Sequence, residues 1–189
     1  THDTTPELRW MQLIDETGYN SNGAAGTWGW NETLPGTQTV TIGDGGAFNH
    51  VDDIYCIIAF ARVPGLIGIG HYIGNGVSNG TNVVINDGGS GFRPAWLMIK
   101  NFDDDGTDWR IIDSTRDGGI NDGAANAVVN ASRTTTESSA SPGTIIDKTA
   151  TGFKIRGTDG NTNTANKRYI YLACADHPFA GAGEQVRAI

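Results

Sequence analysis

The chain has 189 residues, 38% of them hydrophobic and 18% charged, with 27 glycines and a formal net charge of −8. That length suits one ordinary domain or two very small ones, and glycine with Asn, Thr, Ser and Asp between short apolar runs is how many strands joined by turns look. The acidic balance excludes a phosphate-backbone binder and disfavours an anionic membrane surface, and no run of about 18 apolar residues is present to insert into a bilayer.

In chain order, period-two segments appear at residues 9–15, 38–43, 53–61, 68–74, 81–86, 94–100, 108–114, 152–157 and 168–175. The stretches between them, such as "GNGVSNG", "NDGGSG", "FDDDGTD" and "TDGNTNTANK", carry turn chemistry that supplies positive φ or Asx turns. The pattern predicts an all-β fold with little helix, an antiparallel β-sandwich or jelly roll. "DIYCIIAFA" (53–61) and "RYIYLACA" (168–175) are apolar on both faces and read as central strands, with Tyr55, Ile57, Ala59, Tyr171, Ala173 and Ala175 packed. Pro94, lacking an amide proton, suits the first position of its strand; Trp96 and Met98 then share one face, and Ala95, Leu97 and Ile99 the other. In "DWRIIDSTR", Trp109, Ile111 and Asp113 lie opposite Arg110, Ile112 and Ser114, and Asp113 is placed to pair with Arg116 at the strand's end.

Two of these strands are near copies. "YCIIAFARVP" (55–64) and "YIYLACADHP" (169–178) match at Tyr55 and Tyr169, Ala59 and Ala173, Ala61 and Ala175, and Pro64 and Pro178. "IDETGYNSNGAAG" (14–26) has a counterpart in "IDSTRDGGINDGAAN" (112–126). Residues 1–65 therefore read as a partial or merged unit resembling the rear half of a complete β-sandwich unit at 66–189. Cys56 and Cys174 fall inside the repeated strands, where a buried thiol behaves as a small hydrophobe; nothing in their spacing requires a disulfide. The N-terminal "THDTTPELRW" lacks the basic and apolar regions of a signal peptide, and Thr1 reads as a processed end or the start of a fragment.

Catalytic signatures are sparse. The chain contains no G-x-S-x-G, H-E-x-x-H, Walker loop or C-x-x-C, and its four histidines are scattered one per segment. Acidic residues crowd "NFDDDGTD", but a glycosidase needs two carboxyls facing across a cleft roughly 5 to 9.5 Å apart, which a single hairpin tip does not make. Close-set Asp oxygens around a glycine suit Ca²⁺, so Asp103, Asp105 and Asp108 are the candidate metal ligands, the alternative being a solvated acidic tip. In "GTWGWNE", Trp28 and Trp30 lie two apart, with Asn31 beside them and Asn20 and Asn22 nearby. Indoles so spaced stack on sugar rings while amides bond the hydroxyls; alternatively both rings pack inward to close the end of a sandwich.

"GHYIGNG", "GFRPAWLMIKN", "WRIIDSTRDGG", "TGFKIRGTDGNTN" and "YIYLACADHPF", in that order, resemble the repeated C-terminal domain of unknown function found in tail-fibre and tail proteins of tailed, marine-type phages. The resemblance covers residues 66–189, with residues 1–65 matching only the rear half. It implies a concanavalin-like β-sandwich, a virion location and a non-enzymatic host-attachment or structural role, and it carries no catalytic residues. Fibres of such particles are commonly trimers. The resemblance therefore implies a homotrimer, with residues 1–65 contributing to the contact, other virion proteins as partners, and a host-surface glycan as ligand. The alternative is a purely structural head-decoration or extracellular fibre subunit.

Overall fold

A computed structural model describes residues 38–43, 49–55, 57–117, 125–134 and 143–178. The described residues up to Ala59 fall in one compact unit and those from Phe60 onward in another. Among the described residues, the second unit holds β1 (Ile67–Ile73), β2 (Asn82–Val84), β3 (Pro94–Asn101), β4 (Arg110–Asp113), β5 (Val129–Asn130), β6 (Ile146–Thr149), β7 (Gly152–Ile155) and β8 (Arg168–Ala175). Two single-turn helices, α1 (Ser114–Asp117) and α2 (Gly160–Asn163), complete it. Every ladder is antiparallel, in a five-stranded sheet ordered β1-β8-β3-β4-β5 and a three-stranded sheet ordered β2-β7-β6. The fold is all-β with very little helix, as the alternation predicts.

β8 is the hub because both of its edges are paired. β1 lies along one edge from Ile67 opposite Cys174 to Ile73 opposite Arg168, and β3 along the other from Trp96 opposite Cys174 to Asn101 opposite Tyr169. Tyr169, Tyr171, Ala173 and Ala175 point into the core, while Ile170, Leu172 and Cys174 lie half-buried on the opposite face. β3 does begin at Pro94, and its register shifts between Pro94 and Trp96 before Leu97 and Ile99 turn fully inward. Side chains of both sheets form one core, in which the Phe153 ring meets Tyr72 and Tyr171 edge-on at 5.8 and 5.4 Å and Tyr72 stacks on Tyr169 at 5.0 Å. Each such aromatic pair adds about 0.5–1.5 kcal/mol to the area it buries.

Two segments depart from the predicted pattern. Residues 38–43 and the described part of 53–61 belong to no strand, and Tyr55, Ile57 and Ala59 are exposed rather than packed. The cause lies in what makes β8 central. Its neighbours β1 and β3 both come from residues 66–101, whereas among the described residues no strand pairs with segment 53–61. Alternation specifies which faces are apolar; it does not supply the strands that must pair. The candidate strand at 9–15 lies outside the described residues, as does Cys56. Cys174 is a free thiol, half-buried, and that burial pushes its pKa up.

Candidate functional site: the stapled turns

The register of β1, β8 and β3 brings three turns to one end of the larger sheet: residues 74–80, 102–108 and 157–167. Buried polar side chains tie them together. Asn163, fully buried, accepts from the Asn75 amide at 2.9 Å and donates through Nδ2 to the carbonyls of Val77 at 2.9 Å and Gly157 at 2.8 Å. Asn101, also fully buried, accepts from the amides of Asp103 and Asp104 at 3.0 and 3.1 Å, which makes the turn after β3 an Asx turn. Its Nδ2 donates to Asp104, to the Gly160 carbonyl and to the Tyr169 hydroxyl. The Tyr169 hydroxyl donates to the Gly160 carbonyl at 2.9 Å and accepts from the Thr164 amide at 2.7 Å, and the Tyr72 hydroxyl donates to the Thr162 carbonyl at 2.7 Å. Burial, reinforced by the charges of Tyr169 and Asp159, drives the Tyr72 phenol well above its ordinary pKa, so it remains a donor at any working pH.

Asp159 caps α2, accepting from the amide and Nδ2 of Asn161 at 3.1 and 2.9 Å. Its other oxygen receives the Thr144 hydroxyl and Arg110 at 3.3 Å, and Arg110 in turn holds Asn130 at 2.9 Å. This buried ion pair joins β4, β5 and α2. What the cluster leaves facing solvent is Asn75, Gly76, Val77, Ser78 and Asn79, an amide and hydroxyl surface around one apolar side chain, on a backbone fixed from below.

Three acidic residues of the second turn, Asp103, Asp104 and Asp108, each face a different cation. Asp103 receives Arg168 through Nε at 2.8 Å, through a terminal guanidinium nitrogen at 2.5 Å and through its amide at 2.7 Å. Burial pushes the Asp103 pKa up, but the Arg168 hydrogen bonds and the charges of Arg168 and Lys167 outweigh it and hold the carboxyl below its usual range. Asp104 pairs with Lys167 at 2.5 Å, which raises the lysine's pKa. Asp108 is buried against Arg133, and its amide donates to Asn161 at 2.6 Å; Asp105 is exposed. Asp103 and Asp108 thus point to separate partners. Among the described residues, no group of three His, Cys, Asp or Glu side chains is placed to hold a metal ion. Trp28, Trp30 and Asn31 lie outside the described residues.

A cavity of about 610 Å³ opens elsewhere in the same unit, lined by Asp87, Ser90, Phe92, Arg93 and His177 among others. Asp87 is buried and accepts from the amides of Gly65 at 2.8 Å, Gly89 at 2.7 Å and Gly91 at 3.2 Å. Its burial raises the pKa, yet these amides outweigh the burial and lower it, so the carboxylate stays ionised with its lone pairs occupied. It shapes the glycine loop, and a carboxylate so held is poorly placed to take a proton from a substrate. Arg93 spans the Lys148 carbonyl at 2.9 Å and Asp176 at 3.6 Å, half-exposed at the cavity. Sequence reasoning picked out neither Asp87 nor the paired asparagines. The signals were "NDGGSG", an Asp two and four residues before glycines, and "IKN" and "GNTN", each placing an Asn where a strand or helix ends in a turn.

No curated protein and no solved structure matches the chain. A family model described as a domain of unknown function, DUF7483, matches residues 7–178. The chain belongs to that family.

Proposed function

We propose that the chain is a non-enzymatic structural protein of a phage virion, a tail-fibre or tail-tip segment that recognises a host-surface glycan through its turns. The ordered motifs from "GHYIGNG" to "YIYLACADHPF" support the virion assignment by their resemblance to tail proteins. The observation that carries the recognition role is the stapling of residues 74–80 by buried Asn163. A turn whose backbone is already ordered loses little conformational entropy on binding, and exposed amides and hydroxyls around Val77 match the mixed polar and apolar face of a sugar. We take the two sheets as a β-sandwich of the concanavalin-like kind, and the assembled form as a homotrimer bound to other virion proteins.

The purely structural alternative, a head-decoration or fibre subunit, draws on one observation: Ile54, Ile57, Ile58 and Phe60 are all exposed, a row suited to contact between chains. A glycan array probed with the folded protein, with and without calcium, separates the two. Retention of a host-surface glycan supports recognition, and an array without a hit refutes it. Mapping the chain in intact particles tests the virion location, and light scattering tests the trimer.

A further inference from the structure

At the end of the larger sheet away from the stapled turns, the register sets Ile67 opposite Cys174 and Pro94 opposite Ala175, so the residues before β1, the loop from β2 to β3 and the residues after β8 meet there. The cavity of about 610 Å³ lies among them, within the size range of small-molecule sites. Its frame is ordered without a ligand. Asp87 ties the amides of Gly65, Gly89 and Gly91, and a Cβ at Gly91 would sit 2.3 Å from the Thr151 carbonyl oxygen, so the glycine loop is seated directly on the turn that carries Ala150.

The described lining is of mixed chemistry. Pro64, Phe92 and Ala150 supply apolar surface, while Ser90, Arg93 and His177 supply a hydroxyl, a guanidinium and an imidazole. The charges are already answered, Asp87 by its three amides and Arg93 by the Lys148 carbonyl and Asp176. An anionic ligand would meet the carboxylates of Asp87 and Asp176, and a cationic one the Arg93 guanidinium. Asp176 decides the class. Its carboxylate lies 3.6 Å from Arg93 Nε and 3.5 Å from His177 Nδ1, both longer than a charge-assisted hydrogen bond of about 2.7–2.9 Å. A hydroxyl is donor and acceptor at once, so one placed here donates to Asp176 and accepts from Arg93 or His177.

We propose that this cavity seats a single neutral sugar ring, its hydroxyls bridging Asp176 to Arg93 and His177 and a C–H face of the ring lying against Pro64, Phe92 and Ala150. The inference goes beyond the glycan reading of the turns and does not depend on it, because it uses the opposite end of the sheet and none of the same residues.

The test records amide NMR spectra of the full chain while D-glucose, D-galactose, D-mannose and N-acetyl-D-glucosamine are added in turn, with sorbitol, glucuronate and glucosamine as controls. At least one of the neutral sugars is expected to shift the amides of residues 64–65, 87–93, 150 and 176–177 saturably, with a dissociation constant of about 1 mM. Sorbitol lacks a ring face and the other two controls carry charge, so each is expected to shift them less. Ala150→Trp fills the cavity from an exposed turn position and is expected to abolish the shifts at an unchanged melting temperature. Asp176→Ala is expected to weaken binding about tenfold or more, the loss of a hydrogen bond to a charged group. Absence of saturable shifts with every neutral sugar, shifts confined to residues 74–80, an equal response to the controls, or undiminished binding by either variant overturns the proposal. Shifts at residues 74–80 alone would leave the reading of the turns standing, and shifts at the cavity alone would leave this one standing without it.

Discussion

Replacing Asn163 with alanine removes three hydrogen bonds from a fully buried position without disturbing any apolar contact of the core cluster. The Gly157 carbonyl is left buried without this donor, while the Asn75 amide and Val77 carbonyl lie nearer the surface and recover water. One stranded buried acceptor costs about 1–3 kcal/mol and each lost exposed bond about 0.5–1 kcal/mol, so the expected loss is about 3 kcal/mol. In urea this lowers the midpoint by about 1–3 M at unchanged slope. Asn163→Asp discriminates further. It keeps an acceptor for Asn75 but turns carboxylate oxygen toward two carbonyls, so at pH 7 it destabilises at least as much as alanine. Acidification restores a donor and part of the stability, because the carboxyl's folded pKa is raised and the deficit is greatest at high pH. If the alanine variant unfolds within about 0.5 kcal/mol of wild type, or the aspartate variant is the more stable at pH 7, the turns are not held by this side chain.

Asp103, whose folded pKa is lowered, contributes stability that is present above its unfolded pKa of about 4 and lost as pH falls through the folded value; Asp103→Asn is expected to flatten that part of the acid limb in a pH series of melting curves. Arg168 is 45% exposed, so the effect at neutral pH is small. Gly157→Ala is expected to cost about 3 kcal/mol or more, because a Cβ there would sit 1.5 Å from the Gly143 carbonyl oxygen and 2.9 Å from the Ile145 nitrogen, backbone against backbone; a soluble variant with an unchanged melting temperature would contradict the packing. Millimolar calcium is expected to leave the melting temperature unchanged, since Asp103 and Asp108 already face Arg168 and Arg133; a rise that disappears in the Asp103→Asn, Asp105→Asn, Asp108→Asn variant would restore the metal site.

Six of the strands were legible from alternation, including the start of β3 at Pro94 and the shared face of Leu97 and Ile99, which the structure shows to be the buried one. The ion pair of Asp113 with Arg116 was legible too, being local. β6 was not, because "IDKT" places a lysine at an inward position. Lys148 is nevertheless buried, with its ammonium donating to Ser114 at 3.3 Å, and nothing near it in sequence announces that partner. The acidic turn failed in the same way. "DDDGTD" shows four carboxylates, whereas Arg133, Lys167 and Arg168 arrive from 25 to 65 residues away. Segment 53–61 failed in the opposite sense, since its own pattern is that of a central strand, yet among the described residues no strand pairs with it.

The placement of β8 also sets when this unit can be assembled. Among the described residues it is the last strand in chain order, yet it fills the gap between β1 and β3, and its pairing with β1 closes a loop of about a hundred residues. Such long-range pairing folds slowly, and a nascent chain emerging N-terminus first holds two half-finished apolar edges open until β8 clears the ribosome. A premature stop anywhere before Arg168 therefore yields not a smaller sheet but a split one, exposed to chaperones and proteases along both sides of the vacancy.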